Sequence, residues 1–249
     1  MRRLFKVRIM LPTLQLTESD NKYWSSIPRL TDWLVNRLPK DSRVLEIGPG
    51  AAPFPRTDIF ADWHNWGTIP EDRLVICDLS AEKLPFKDKE FDFVYCRHVI
   101  EDMYNPFSLC REMSRVAKAG FLETPSPIAE VCRGVDGGSP AWRGYCHHRY
   151  FVWVHANKLR FLTKYPMVEY LRFEDEQKIL GIMKQGPAFW NTYHLWDGEI
   201  DVEYTQHETD YSILTDYGSV ISKAMDESIA ATQQFIDMVE SQIVANPSP

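Results

Sequence analysis

Apolar residues along the chain fall into short runs separated by polar turns, then into longer periodic stripes near the end. Over residues 24–38, Ile27, Leu30, Trp33, Leu34 and Leu38 recur at the spacing of one helical face. Ser25 or Ser26 is placed to cap that helix, Pro28 is tolerated in its first turn and Pro39 stops it. Residues 43–47, 57–62, 73–77 and 91–96 are compact apolar runs bounded by charged or turn residues, the pattern of parallel strands buried on both faces. The spacing predicts a helix over 106–117, with Phe107, Leu109, Cys110, Met113 and Val116 as its inner stripe, and a further strand over 120–123. Alternating strand and helix predicts an α/β fold, an open sheet whose ligands bind beyond the carboxyl ends of the strands. Glu46, Asp62, Asp78, Arg97 and Glu123 fall at such ends.

The second half is less regular. Residues 150–154 alternate weakly, and 193–196 and 199–204 flank Asp197-Gly198, a hairpin turn signal, so a β insertion is expected there. Val220, Ile221, Ala224, Met225, Ile229, Phe235, Ile236, Val239 and Ile243 line one face of a long terminal helix. That face is expected to pack on its own chain, with pairing to a second copy as the alternative, hence a monomer or a homodimer. Expected divisions are an N-terminal arm and helix over 1–40, a ligand-binding core over 41–165, and a cap with the terminal helix over 166–249.

Composition narrows the partners. A formal net charge of -7 over 249 residues argues against nucleic acid, whose phosphates are held by clustered Lys and Arg. Five widely spaced cysteines with no C-x-x-C pair suit reduced thiols and a cytoplasmic location, and argue against structural zinc. Residues 1–16 are basic and partly apolar, but Lys6, Arg8, Pro12 and Gln15 interrupt any signal-peptide core. No run approaches the ~20 apolar residues of a membrane span.

Candidate chemistry begins at Val44-Leu45-Glu46-Ile47-Gly48-Pro49-Gly50, where a buried strand opens into a glycine turn that lets a ligand approach the backbone. A dinucleotide fingerprint would continue into a helix, which Pro53 and Pro55 prevent at a cost of ~3 kcal/mol for a helix-interior proline. A shortened crossover brings the next strand forward. Asp62 therefore arrives early, placed to accept hydrogen bonds from two ribose hydroxyls.

These residues, with Asp78-Leu79, Leu84-Pro85-Phe86, Phe91-Asp92-Phe93-Val94 and His98-Val99-Ile100-Glu101, resemble the type-11 methyltransferase family of class I, S-adenosylmethionine-dependent enzymes. The resemblance covers roughly residues 41–127 and implies a Rossmann-like sheet with helices on both faces, here with a shortened first crossover and a C-terminal hairpin and helical cap. It implies S-adenosylmethionine as cofactor and S-adenosylhomocysteine as product. By that resemblance Glu46, Gly48, Pro49 and Gly50 hold the methionine part, Asp62 the ribose, and Asp78 with Leu79 the adenine, with Arg97 beside the cofactor. Departures are Ala52 in place of the third glycine and Glu101-Asp102 where an acid is often followed by His.

Transfer of a methyl group from a sulfonium to a hydroxyl needs alignment and a base. His148 or His147 is the expected base, and His98 a positioning group. No diagnostic metal cluster is evident, so no metal ligand is assigned; a magnesium ion through Asp102 or Glu123 is the alternative. Aromatic residues with polar tips, Trp153, Trp190, Tyr193 and Trp196, suit a sugar ring, so a sugar, glycan or other small-molecule acceptor is expected. The competing expectations are a cofactor-binding module without turnover in a glycan-assembly system, and methylation of a protein or lipid.

Overall fold

The computed structural model describes residues 27–136, 141–173, 179, 187–205 and 212–245. The expected N-terminal arm and the capping serines Ser25 and Ser26 lie outside the described residues. Helix α1 (Pro28–Arg37) opens on Pro28, whose missing amide hydrogen costs nothing at the first helical position. Strands β1 (Val44–Ile47), β2 (Ile59–Asp62), β3 (Leu74–Ile76) and β4 (Phe91–Arg97) follow. Helix α2 (Pro106–Val116) begins at Asn105-Pro106, where the Asn105 side chain accepts from Ser108 N. Strand β5 (Ala117–Pro125) leads into the short α3 (Pro127–Val131), capped in the same way by Ser126. Strands β6 (Tyr150–His155), β7 (Lys158–Thr163), β8 (Asn191–Asp197) and β9 (Val202–Tyr204) precede the long α4 (Ser212–Ala245).

The main sheet has the order β3-β2-β1-β4-β5-β8. Its pairs are parallel except β5 with β8. The chain steps outward from β1 through β2 and β3, then returns to lay β4 on the other side of β1. This reversal puts a topological switch point at the carboxyl ends of β1 and β4, the place where open α/β sheets hold ligands. Between β1 and β2 the described chain contains no helix, so the shortened crossover expected from Pro53 and Pro55 is present.

Alternate side chains face opposite layers. Leu45, Ile47, Val94, Cys96 and Leu122 pack against α2 and against Val152, Leu159 and Phe161 of the smaller sheet β6-β7-β9. Val44, Phe93, Tyr95 and Phe121 face Leu30 and Leu34 of α1 and Ile236 and Val239 of α4. On that second face the rings of Phe54, Tyr95, Phe121, Tyr193 and Phe235 lie one against the next at near-parallel to tilted angles. Ring pairs of this kind add ~0.5–1.5 kcal/mol each beyond burial. The apolar stripe of α4 is thus spent within its own chain, its first half against α3 and β6 and its second against the main sheet.

One sequence expectation fails here. Asp197-Gly198 does turn the chain, with Gly198 at φ +76, but the flanking strands do not form a hairpin. β8 pairs with β5 over its whole length, Ala119↔Asp197 to Pro125↔Asn191, and so becomes the edge of the main sheet. β9 pairs in parallel with β7 in the smaller sheet. β9 pairs with β7 instead of returning along β8, whose outer edge takes no strand among the described residues. Part of the expected cap over 166–249 therefore belongs to the core, and the actual hairpin is β6-β7, turned by Ala156 and Asn157 at φ +50 and +61.

Candidate active site

At the end of β1 the backbone of Gly48 takes φ +63, and a Cβ there would run into Val99 Cγ2, just beyond β4. Gly50, at φ +55, has open space where its side chain would be. Pro49 between them is buried. Only glycine satisfies both the left-handed backbone and the close approach at Gly48. Glu46 faces inward: its Oε2 accepts from Phe54 N at 2.9 Å and Thr57 Oγ1 at 2.7 Å, so the carboxyl holds the proline loop that replaces the crossover helix. Burial pushes the Glu46 carboxyl up to about 7 against the pull of those two bonds.

Asp62 ends β2 beside this turn. Its Oδ1 accepts from Trp63 N at 2.7 Å, and burial raises its affinity for a proton while bonds from the 63–66 loop oppose that rise. Trp63 and Trp66 stand exposed on either side of His64, their rings 5.6 Å apart. Asp78 is exposed past β3, accepting from Ser80 N at 2.8 Å, while Leu79 is buried in the core. Thr68 Oγ1 donates to Gly50 O, drawing the post-β2 loop over the glycine turn. Gly48, Gly50, Asp62 and Asp78 thus line one end of the sheet.

The neighbouring end, past β4 and β5, carries a dense charge network. Arg97 donates to both oxygens of Glu123, Nε to Oε2 at 2.8 Å and Nη2 to Oε1 at 3.1 Å. Asn191 Nδ2 donates to the same carboxylate at 2.8 Å. Burial would lower the Arg97 guanidinium, but the Glu123 charge outweighs it and raises it. His98 is held at φ +51, an uncommon conformation for a non-glycine residue. Its Nδ1 lies 3.3 Å from Glu101 Oε1, and its Nε2 has no hydrogen-bond partner, with Glu123 Oε1 3.9 Å away. The other oxygen of Glu101 accepts from Thr124 Oγ1 at 2.9 Å.

The segment 141–149 folds back over this end, tied by Arg149 N donating to Glu101 O at 2.8 Å. His148 Nδ1 lies 2.6 Å from Glu130 Oε1, while Glu130 Oε2 accepts from Lys164 Nζ. A Cβ at Gly144, φ +54, would strike Glu130, so that glycine lets the segment cross the carboxylate. Burial would lower the His148 imidazole, but Glu130, Glu101 and Asp102 together raise it. Glu130 itself is lowered, its burial outweighed by Lys164 and His148. His147, exposed, has Nε2 3.7 Å from Asp102 Oδ1.

The aromatic residues expected to hold a substrate lie elsewhere. Trp153 is buried with Nε1 donating to Glu227 at 2.7 Å, and Tyr193 belongs to the ring stack on the α4 face. Trp196 packs over Gly120 toward the amino end of β5, away from the glycine turn. Trp190 is half-buried against the α3 cluster. Trp153, Tyr193 and Trp196 are core, because strands β6 and β8 are covered on both faces. The aromatics exposed near the 98–105 and 141–149 segments are Tyr104 and Trp142. Glu130 and Lys164 were not singled out from sequence; the available signal was a lone acid inside Ser126-Pro127-Ile128-Ala129-Glu130-Val131-Cys132.

Residues 57–122, from just before β2 into β5, match the family model described as a methyltransferase domain. That match spans about a quarter of the chain, and over it the chain is similar to a methyltransferase domain. Its glycine turn after β1 and its mostly parallel sheet with helices agree with the Rossmann-like fold that the sequence resemblance implies. Over 95 residues it is 36% identical to an uncharacterised protein of Methanocaldococcus jannaschii, an alignment covering 35% of this chain and 44% of that protein. The chain thus spans less than half the length of the curated relative it matches. Among solved structures it is similar to an S-adenosylmethionine-dependent methyltransferase of Thermotoga maritima, at 25% identity and TM-score 0.31 over 39% of this chain and 50% of that one. The YcgJ protein of Bacillus subtilis matches at 21% identity and TM-score 0.31, over the same shares.

S-adenosylmethionine is the cofactor of such domains, and the residues present fit it. Gly50 has open space where a side chain would stand, and Asp62 ends β2 beside the glycine turn, where the sequence resemblance expects the ribose.

Proposed function

We propose that this methyltransferase domain methylates a hydroxyl of a sugar, glycan or similar small polar molecule, with His98 as the general base. Support comes chiefly from His98. It stands next to Val99, which packs against Gly48, with Nδ1 3.3 Å from Glu101 Oε1 and a buried Nε2 that has no hydrogen-bond partner. Glu101 fixes the ring and stabilises the imidazolium that forms when Nε2 takes the hydroxyl proton. The cofactor supplies an electrophilic methyl group and leaves as the thioether S-adenosylhomocysteine, while the acceptor becomes a methyl ether. Assignment of the proton to His98 departs from the expectation of His148 or His147, because Glu130 already engages His148 Nδ1 and its own face turns to Asp102.

A polar acceptor is supported by the exposed rings of Tyr104 and Trp142, which offer flat faces for a sugar, and by the charged groups around them. Arg149 stacks over Tyr104, 5.2 Å from its ring centre, and steadies that face. The experiment is methyl transfer from radiolabelled S-adenosylmethionine to a panel of sugars and glycans, with proteins and lipids alongside. Label in a sugar or glycan ether supports the reading. Label only in protein or lipid, or cofactor binding without transfer to any class, overturns it.

A further inference from the structure

We infer that Asp102, His147 and His148 form a binding site for one divalent transition-metal ion at the mouth of the acceptor side. Asp102 Oδ1 lies 3.7 Å from His147 Nε2 and 3.8 Å from His148 Nε2, and the three donor atoms are all within 4.8 Å of one another. Metal bonds of about 2.0–2.1 Å in a tetrahedral site set donors roughly 3.3 Å apart, so small side-chain shifts close this triangle on an ion. Neither exposed partner is locked: His147 and Asp102 have side-chain exposures of 58% and 43%.

The buried member is pre-oriented. His148 Nδ1 faces Glu130, whose second oxygen is held by Lys164, and this leaves Nε2 pointing at Asp102. A carboxylate on the far nitrogen is the arrangement that fixes the tautomer and orientation of a metal-binding imidazole. Gly144 exists at φ +54 because Glu130 occupies the space a side chain would need, so the backbone too is shaped around this pair. Two imidazoles and one carboxylate suit zinc, cobalt or iron(II) better than magnesium or calcium, which favour all-oxygen sites. Three protein ligands leave a coordination position for water or for an acceptor oxygen.

Asp102 follows His98 and Glu101 in the same loop, and Arg149 clamps the His147-His148 segment onto that loop. Resting on the function proposed above, the ion's role is to bind the acceptor hydroxyl and make its proton easier for His98 to remove. The binding site itself does not depend on that role. Cys146 and Asp136 form a rival triangle with His147, which the test must separate.

The test is calorimetric titration of chelator-treated protein with zinc chloride, repeated with cobalt(II) while following its visible absorption. Wild type should bind one zinc with micromolar or tighter affinity and give cobalt bands of a nitrogen- and oxygen-ligated centre. Asp102→Asn and His147→Ala, both at exposed positions, should each weaken zinc at least tenfold, and Cys146→Ser should change it less than twofold. Absence of zinc binding by folded wild type overturns the site. So does unchanged affinity in Asp102→Asn, or a large loss with thiolate-to-cobalt bands that vanish in Cys146→Ser. Chelation that slows methyl transfer tenfold while leaving S-adenosylhomocysteine affinity unchanged supports the role; transfer unaffected by chelation removes it. Zinc bound normally in a protein that transfers no methyl group keeps the site and rejects the methylation reading.

Discussion

The two halves of the sheet's carboxyl edge are built on opposite principles. Past β1, β2 and β3, polar groups are few and local: Gly48 and Gly50 expose backbone, Asp62 binds the loop that immediately follows it, and Asp78 stands in solvent. Past β4 and β5, charge is buried and shared across long sequence separations, Arg97 with Glu123 and Asn191, and His148 with Glu130 and Lys164. In the first arrangement Gly50 and Asp78 are exposed, and the Asp62 carboxylate, though buried, is bonded only by the loop that follows it. The second already satisfies most of its groups internally, at the desolvation cost of several buried ions, and so holds a rigid wall in which His98 Nε2 remains without a hydrogen-bond partner. Cofactor binding should therefore tolerate damage to the second region, while turnover and stability should not.

Four substitutions break or sharpen that contrast. His98→Ala should lower methyl transfer ~10²–10⁴-fold, the usual worth of a positioned base, with S-adenosylmethionine affinity changed less than threefold. Parallel kinetics and calorimetry check it, and a matching loss of cofactor affinity would erase the distinction between the two edges. Glu130→Gln leaves Lys164 and His148 buried without their counter-charge, and should cost about 3 kcal/mol in urea unfolding while sparing cofactor affinity.

Glu46 gives a pH signature on the cofactor side. Its folded carboxyl titrates near 7 against an ordinary 4.5, so the native state holds a proton that the unfolded chain releases between those values. Stability should fall as pH rises through that window, by roughly 3 kcal/mol in all, with the cost fully present above it. Glu46→Gln should flatten this slope in denaturation curves taken from pH 4.5 to 8. Smallest is Asp78→Ala, which removes the exposed carboxylate expected beside the adenine and should weaken S-adenosylhomocysteine by about 1 kcal/mol, roughly fivefold, without altering the melting temperature.

The same contrast decides what could be read from the sequence. The glycine turn, Asp62 and Asp78 lie within or just after single strands, so spacing along the chain was enough to place them. Pro53 and Pro55 announced the missing crossover helix because a proline acts on its own local backbone. The Arg97–Glu123–Asn191 and His148–Glu130–Lys164 groups are assembled by tertiary pairing, and no local pattern records it. Asp197-Gly198 was misleading for a related reason: turn chemistry fixes a change of direction, but which strand takes the released hydrogen bonds depends on the edge left open by β5. Trp153, Tyr193 and Trp196 show the limit of composition, since an aromatic with a polar tip serves a core as well as a sugar.

The account rests on a nucleoside held between the turn at Gly48–Gly50 and the carboxylate of Asp62. Calorimetric titration with S-adenosylhomocysteine tests it most directly, comparing wild type with Gly48→Val, whose added side chain meets both Val99 and an unfavourable φ. Micromolar binding to wild type and none detectable to a folded Gly48→Val is the predicted result. No binding to wild type, or equal binding to both, contradicts it.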